Sequence, residues 1–167
     1  SGGTTFSGTV AATTVTLTNT TGSIVFNDAL TATTLNTAAQ AYNVSIVGSS
    51  NTVTNAVTFS NTGTLALGNG SDTLAFDGGI TAIAPSAVTV NGTVSAAGTA
   101  VITLGDSNTA VSVTGDSTVG GASTGQITFG AITISDGKTL TAGAGASTPI
   151  SFTTVSGVAL GSASNLT

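Results

Sequence analysis

Apolar and polar residues alternate along this chain with a period of two. Thr14-Val15-Thr16-Leu17-Thr18 is one such run, and Val57-Thr58-Phe59, Thr64-Leu65-Ala66-Leu67, Val88-Thr89-Val90, Val101-Ile102-Thr103-Leu104, Val111-Ser112-Val113 and Ile132-Thr133-Ile134 are others. Successive side chains of a strand point to opposite faces, so each run sends Val, Leu, Ile and Phe one way and Thr or Ser the other. The branched Cβ of Thr suits the pleat, so the polar face is itself strand-forming. Short polar breaks separate the runs, among them Asn19-Thr20-Thr21-Gly22, Gly48-Ser49-Ser50-Asn51, Gly68-Asn69-Gly70-Ser71-Asp72, Asn91-Gly92, Gly105-Asp106-Ser107-Asn108 and Ser135-Asp136-Gly137. Gly takes positive φ cheaply, and Asn or Asp bonds its own nearby backbone, so these read as turns. Little room is left for helix. Thr37-Ala38-Ala39-Gln40-Ala41 is short and uncapped and reads as a turn.

The segments also resemble one another. Ile24-Val25-Phe26-Asn27-Asp28-Ala29-Leu30-Thr31-Ala32 lies on Leu74-Ala75-Phe76-Asp77-Gly78-Gly79-Ile80-Thr81-Ala82, and both lie on Ile127-Thr128-Phe129-Gly130-Ala131-Ile132-Thr133. The steps from Phe59 to Phe76 and from Phe129 to Phe152 are each of the size expected for one coil of a solenoid, in which only the stack buries a core. The two steps are unequal, so the repeat is irregular. The pattern therefore predicts an all-β, right-handed parallel β-helix over residues 1–167 as a single segment. An antiparallel β-sandwich is the alternative, because it too has many short strands. A sandwich ordinarily shows Lys, Glu and Arg outside, and those are nearly absent here.

Composition changes the functional picture more than the structural one. Thr and Ser fill 56 of 167 positions, while only seven residues carry charge: six Asp and Lys138. The chain has no Glu, Arg, His, Cys, Met or Trp. Most acid-base, nucleophilic and redox groups are thereby removed. A net charge of −5 with one Lys argues against nucleic acid, whose phosphates require many cations. It argues equally against an electrostatic membrane anchor, and no apolar run approaches the roughly 20 residues of a membrane helix. The abrupt Ser1-Gly2-Gly3 start and Asn165-Leu166-Thr167 finish read as a piece of a longer repetitive extracellular protein, with no cap at either end. Val158-Ala159-Leu160-Gly161 reads as a strand beside a turn.

Several constellations bear on chemistry. Gly68-Asn69-Gly70-Ser71-Asp72-Thr73-Leu74 fits the core of the calcium-binding nonapeptide of β-rolls, which makes Asp72 a calcium candidate. Calcium takes six to eight oxygens from neighbouring turns, and one copy cannot complete that cage. Asp72 therefore reads first as a turn residue capping backbone donors. Asp72 and Asp77 are the pair placed to share a region if a polysaccharide were cleaved. Lys138, after Asp136-Gly137, reads as a solvated turn residue in a weak pair with Asp136. Gly137-Lys138-Thr139 lacks the upstream glycine of a phosphate loop. The lone Tyr42 reads as half-buried packing rather than a sugar-stacking ring, and the six Phe as an internal stack. Asn19, Asn43, Asn69 and Asn91 open glycosylation sequons. Thr14-Val15-Thr16-Leu17-Thr18 and Thr52-Val53-Thr54 supply the Thr-x-Thr steps of an ice-binding face, while Ser112, Ala66 and Asn91 break the pattern elsewhere.

Ser1-Gly2-Gly3-Thr4-Thr5-Phe6-Ser7-Gly8, Gly63-Thr64-Leu65-Ala66-Leu67 and the Val88–Gly92 run carry a resemblance across the whole chain. It resembles the exported β-helical region of bacterial surface proteins, of the autotransporter passenger and filamentous-haemagglutinin-like adhesin kind. That resemblance implies a secreted rod at the cell surface, acting in adhesion or aggregation or serving as a stalk. The expected function is a non-catalytic segment of a surface adhesin or extracellular fibre, without cofactor or nucleic acid, and without membrane insertion of this segment. The expected partners are a glycan or protein receptor, or like subunits end to end. A polysaccharide-acting enzyme and an ice-binding solenoid are the alternatives.

Overall fold

In the computed structural model, which describes residues 2–143, 149–158 and 161–167, the strands stack in parallel as a β-solenoid of about seven turns. No helix occurs among the described residues. The first coil holds β1 (Thr4–Phe6) and β2 (Val10–Leu17), and the second β3 (Ser23–Phe26) and β4 (Leu30–Thr37). The third holds β5 (Asn43–Ile46), β6 (Ser50–Val53) and β7 (Val57–Thr58), the fourth β8 (Leu65–Phe76) and β9 (Ile80–Ala82), and the fifth β10 (Ala87–Ala96) and β11 (Ile102–Leu104). Then come β12 (Ala110–Val113), β13 (Ser117–Gly121), β14 (Ile127–Ile134), β15 (Thr139–Ala142), β16 (Ile150–Gly157) and β17 (Asn165–Leu166). β14 and β16 each turn a corner, ending one coil and starting the next.

The coils present three faces, and every ladder between them is parallel. On the first face Ile24 pairs with Val44, and Leu65 with Val88. On the second Leu140 pairs with Leu166. Each of these is a step of one coil, yet no two span the same length of chain. The rung is therefore variable, because the corners take up extra residues while the strands keep register. This variability blurs the sequence repeat. The self-similar segments found above lie on different faces: Ile24 on the first, Leu74 on the second and Ile127 on the third. They are strand-corner-strand units, not successive copies of one rung.

Alternation places the core as expected. Ile24, Val44, Leu65, Val88, Val111 and Ile132 form one buried inward row. Burying each such side chain contributes about 1.5–3 kcal/mol, and a single coil could not supply the opposite wall. Four Phe rings and Tyr42 are fully inside, and Phe6 and Phe152 pack half-buried against the core.

Some predicted breaks are not breaks. Asn91-Gly92 lies inside β10, and Gly68 to Asp72 lies inside β8. Pairing jumps from Leu67↔Val90 to Asp72↔Gly92, so four residues of β8 bulge over one residue of β10. Gly68 makes the bend possible: its φ is +79°, and a Cβ there would collide with the Asn91 carbonyl oxygen. The Gly48–Asn51 break is also shorter than predicted, since Ser50 and Asn51 belong to β6. The Thr37–Ala41 segment closes β4 and continues as a non-helical turn. Of the segments singled out in the sequence, Ser1 and the Ala159-Leu160 part of the last predicted strand lie outside the described residues.

Candidate functional site

The outward faces carry hydroxyls in single file. On the third face Thr58, Thr81, Thr103, Thr128 and Ser151 are ladder partners on successive coils. On the second, Ser50, Thr73, Thr93, Thr118 and Thr141 do the same. Strand spacing puts neighbours in a column about 4.8 Å apart. The columns are partly self-bonded. Ser151 Oγ donates to Thr128 Oγ1 at 3.3 Å, and Thr141 and Thr167 Oγ1 meet at 3.1 Å. On the third face Thr58, Thr81, Thr103 and Thr128 each sit between two inward apolar residues, as in Ile102-Thr103-Leu104, so core burial fixes their outward direction.

The first face differs. There the outward position starts from Ala66 and then runs Thr89, Ser112, Thr133 and Ser156, a shorter file of four hydroxyls in which Thr133 Oγ1 and Ser156 Oγ meet at 3.2 Å. The Thr-x-Thr steps noted in the sequence do not repeat: Thr14 pairs with Thr34, but Thr16 pairs with Asn36. The columns that do repeat escape a reading of the sequence. Their signal there is an apolar-Thr-apolar tripeptide recurring at uneven intervals, at Thr58, Thr81, Thr103 and Thr128.

The carboxylates serve the corners. Asp72 is largely buried, and its Oδ2 accepts the Asn69 N–H at 2.8 Å, the capping role expected of a turn Asp. Asp28 accepts from Ala29, Asp106 from Asn108 and Thr109, and Asp116 from Thr139. Asp136 Oδ1 accepts the N–H groups of Gly161 and Ser162 on the next coil, so it caps a turn there, and the weak pair expected with Lys138 is not formed among the described residues. Asp72 and Asp77 are not brought together. The extended strand between them separates their backbones by roughly 16 Å, and Asp72 faces in while Asp77 is exposed. Among the described residues no three His, Cys, Asp or Glu cluster to hold a metal.

Tyr42 lies deeper than its sequence context suggests. It is 1 % exposed, and its hydroxyl donates to the Leu17 carbonyl at 3.1 Å. Burial pushes its phenol above the usual tyrosine value. Its ring is not a stacking platform for sugar. An open depression of about 180 Å³ beside Gly157, Val158, Ser162, Ala163 and Ser164 is lined by small residues with no titratable side chain among them. No family model, curated protein or solved structure matches this chain.

Proposed function

We propose that this chain is a non-catalytic structural segment of a secreted adhesin or extracellular surface fibre, located outside the cell or at a bacterial cell surface. The observation that carries the reading is the pair of in-register hydroxyl columns. A rod offering the same weak donor and acceptor on five successive coils suits repeated contact with a glycan or protein receptor. Linking weak contacts raises avidity by orders of magnitude without any single strong site. Like subunits are the other partner class. β1 and β17 each pair on one side only among the described residues, and Val155 and Leu166 are exposed near the later edge. A free strand edge accepts another strand.

The test compares display with solution. Beads coated with the protein should be retained on immobilised glycans or host-surface protein, while the free monomer binds weakly. Tight one-to-one binding by free monomer, or release of sugar reducing ends from a polysaccharide, would overturn the reading. The latter would restore the enzyme alternative.

The same columns favour a second reading, binding to ice. Hydroxyls and methyls repeating at one spacing from coil to coil offer a regular template for ordered water. Thermal hysteresis at micromolar protein supports this reading, and its absence at millimolar protein removes it.

A further inference from the structure

The chain contains two Asn-Gly pairs in nearly the same local sequence, Asn69-Gly70-Ser71 and Asn91-Gly92-Thr93. The coil stack treats them oppositely. Asn69, Gly70 and Ser71 are all exposed. They lie in the β8 bulge, between the last paired residue, Leu67, and the next, Asp72. A Cβ built on Gly70 meets nothing within 4 Å, so the backbone there has room to move. Gly92 is buried and paired with Asp72, and its N–H donates to Ser117 Oγ at 3.3 Å. The Asn91 carboxamide is pressed so closely against Gly115 that a Cβ added there would collide with Oδ1.

We propose that Asn69 is a site of spontaneous covalent modification, deamidating through a succinimide, and that the stack protects Asn91. The Gly70 backbone nitrogen attacks Cγ of Asn69. An N–Cγ bond forms, the Cγ–Nδ2 bond breaks, and the Gly70 N–H proton leaves with Nδ2 as ammonia. Water then adds to one of the two imide carbonyls, giving aspartate or isoaspartate at this position. Only water is consumed. The reaction needs a nitrogen free of ladder bonds and a backbone able to bring it onto Cγ. The bulge supplies both, whereas Asn91 must first open locally against coils on both sides. The product adds a carboxylate beside Asp72 and makes the net charge of −5 more negative by one. Isoaspartate lengthens the backbone by one carbon, in a segment that no ladder uses, so the stack survives.

The test is peptide mapping by mass spectrometry after incubation of the folded protein in mildly alkaline buffer, with a parallel sample in urea. In the folded protein, conversion at Asn69 should outrun that at Asn91 by about tenfold or more, since local opening limits the latter. In urea the two should convert at similar rates. Gly70→Ala, which has open space around the new Cβ, should keep the melting curve and suppress conversion at Asn69. Equal folded-state rates would overturn the proposal. So would no conversion at Asn69 while the urea sample converts, or a difference that persists unchanged in urea.

Discussion

Phe129 and Phe152 stack nearly face to face, with ring centroids 4.9 Å apart and planes 9° from parallel. They are ladder partners on the third face, so the stack follows from register. Phe6 and Phe26 repeat the arrangement on the first face, at 4.9 Å and 11°. Phe59 and Phe76 meet differently, edge to face at 6.1 Å and 87°, because they come from different faces and touch across the core. The step between them is thus not a rung.

Phe59→Ala and Phe76→Ala should each cost about 3–5 kcal/mol in urea titration, because both rings are fully enclosed. Their double mutant should reveal a coupling of about 0.5–1.5 kcal/mol from the edge-to-face pair. Phe152→Ala should cost clearly less than either, since that ring is half-buried. Equal losses at all three positions would contradict the core described here.

The single tyrosine gives a pH test. Burial raises the folded-state pKa of Tyr42 above its unfolded value of about 10. The stabilising difference is therefore fully present below about pH 10, and it is lost as pH climbs from the unfolded toward the folded pKa. Alkaline unfolding should begin above about pH 10 and be blunted in Tyr42→Phe. That variant should lose only about 0.5–1.5 kcal/mol at neutral pH, since the Leu17 carbonyl also accepts from the Ala38 N–H. Free titration of the phenol in the folded protein would contradict its burial.

Asn51 interrupts an apolar row between Leu30 and Leu74, yet it is 3 % exposed. Its Oδ1 accepts the Leu30 N–H at 3.1 Å, and its Nδ2 donates to the Gly48 and Thr73 carbonyls. Asn51→Leu would complete the row in apolar terms but strand those backbone groups, each costing about 1–3 kcal/mol when buried and unpaired. A lower urea midpoint is expected for both Asn51→Leu and Asn51→Ala. A raised midpoint for the Leu variant would show that the hydrogen bonds contribute little.

The solenoid was legible because period-two alternation needs only strands to express it. The runs at Thr14, Val57, Val88, Val111 and Ile132 all begin in strands. Rung length was not legible, because Gly68 and its neighbours absorb residues in a bulge without breaking the ladder. The hydroxyl columns were hidden for the same reason. Thr81, Thr103 and Thr128 follow one another coil by coil, but the second step takes more chain than the first, so no fixed period aligns them. Ala66 and Ser112, which break the Thr pattern in sequence, sit on the first face, where the file of hydroxyls starts only at Thr89. Asn51 reads in sequence as part of a break because its burial depends on the Thr73 carbonyl of the next coil.

In the proposed function the hydroxyl columns carry contact while the core carries the fold. The most direct measurement replaces Thr73, Thr93 and Thr118 together by Val and compares bead retention and urea stability with the parent protein. These side chains lie on the outward face, where Thr73 Oγ1 gives up only an exposed bond to the Ser49 carbonyl, and Val keeps the branched shape favoured in strands, so the change in stability should stay within about 1 kcal/mol. Retention on the receptor surface should fall toward that of uncoated beads. Undiminished retention by a stably folded triple variant would contradict the account.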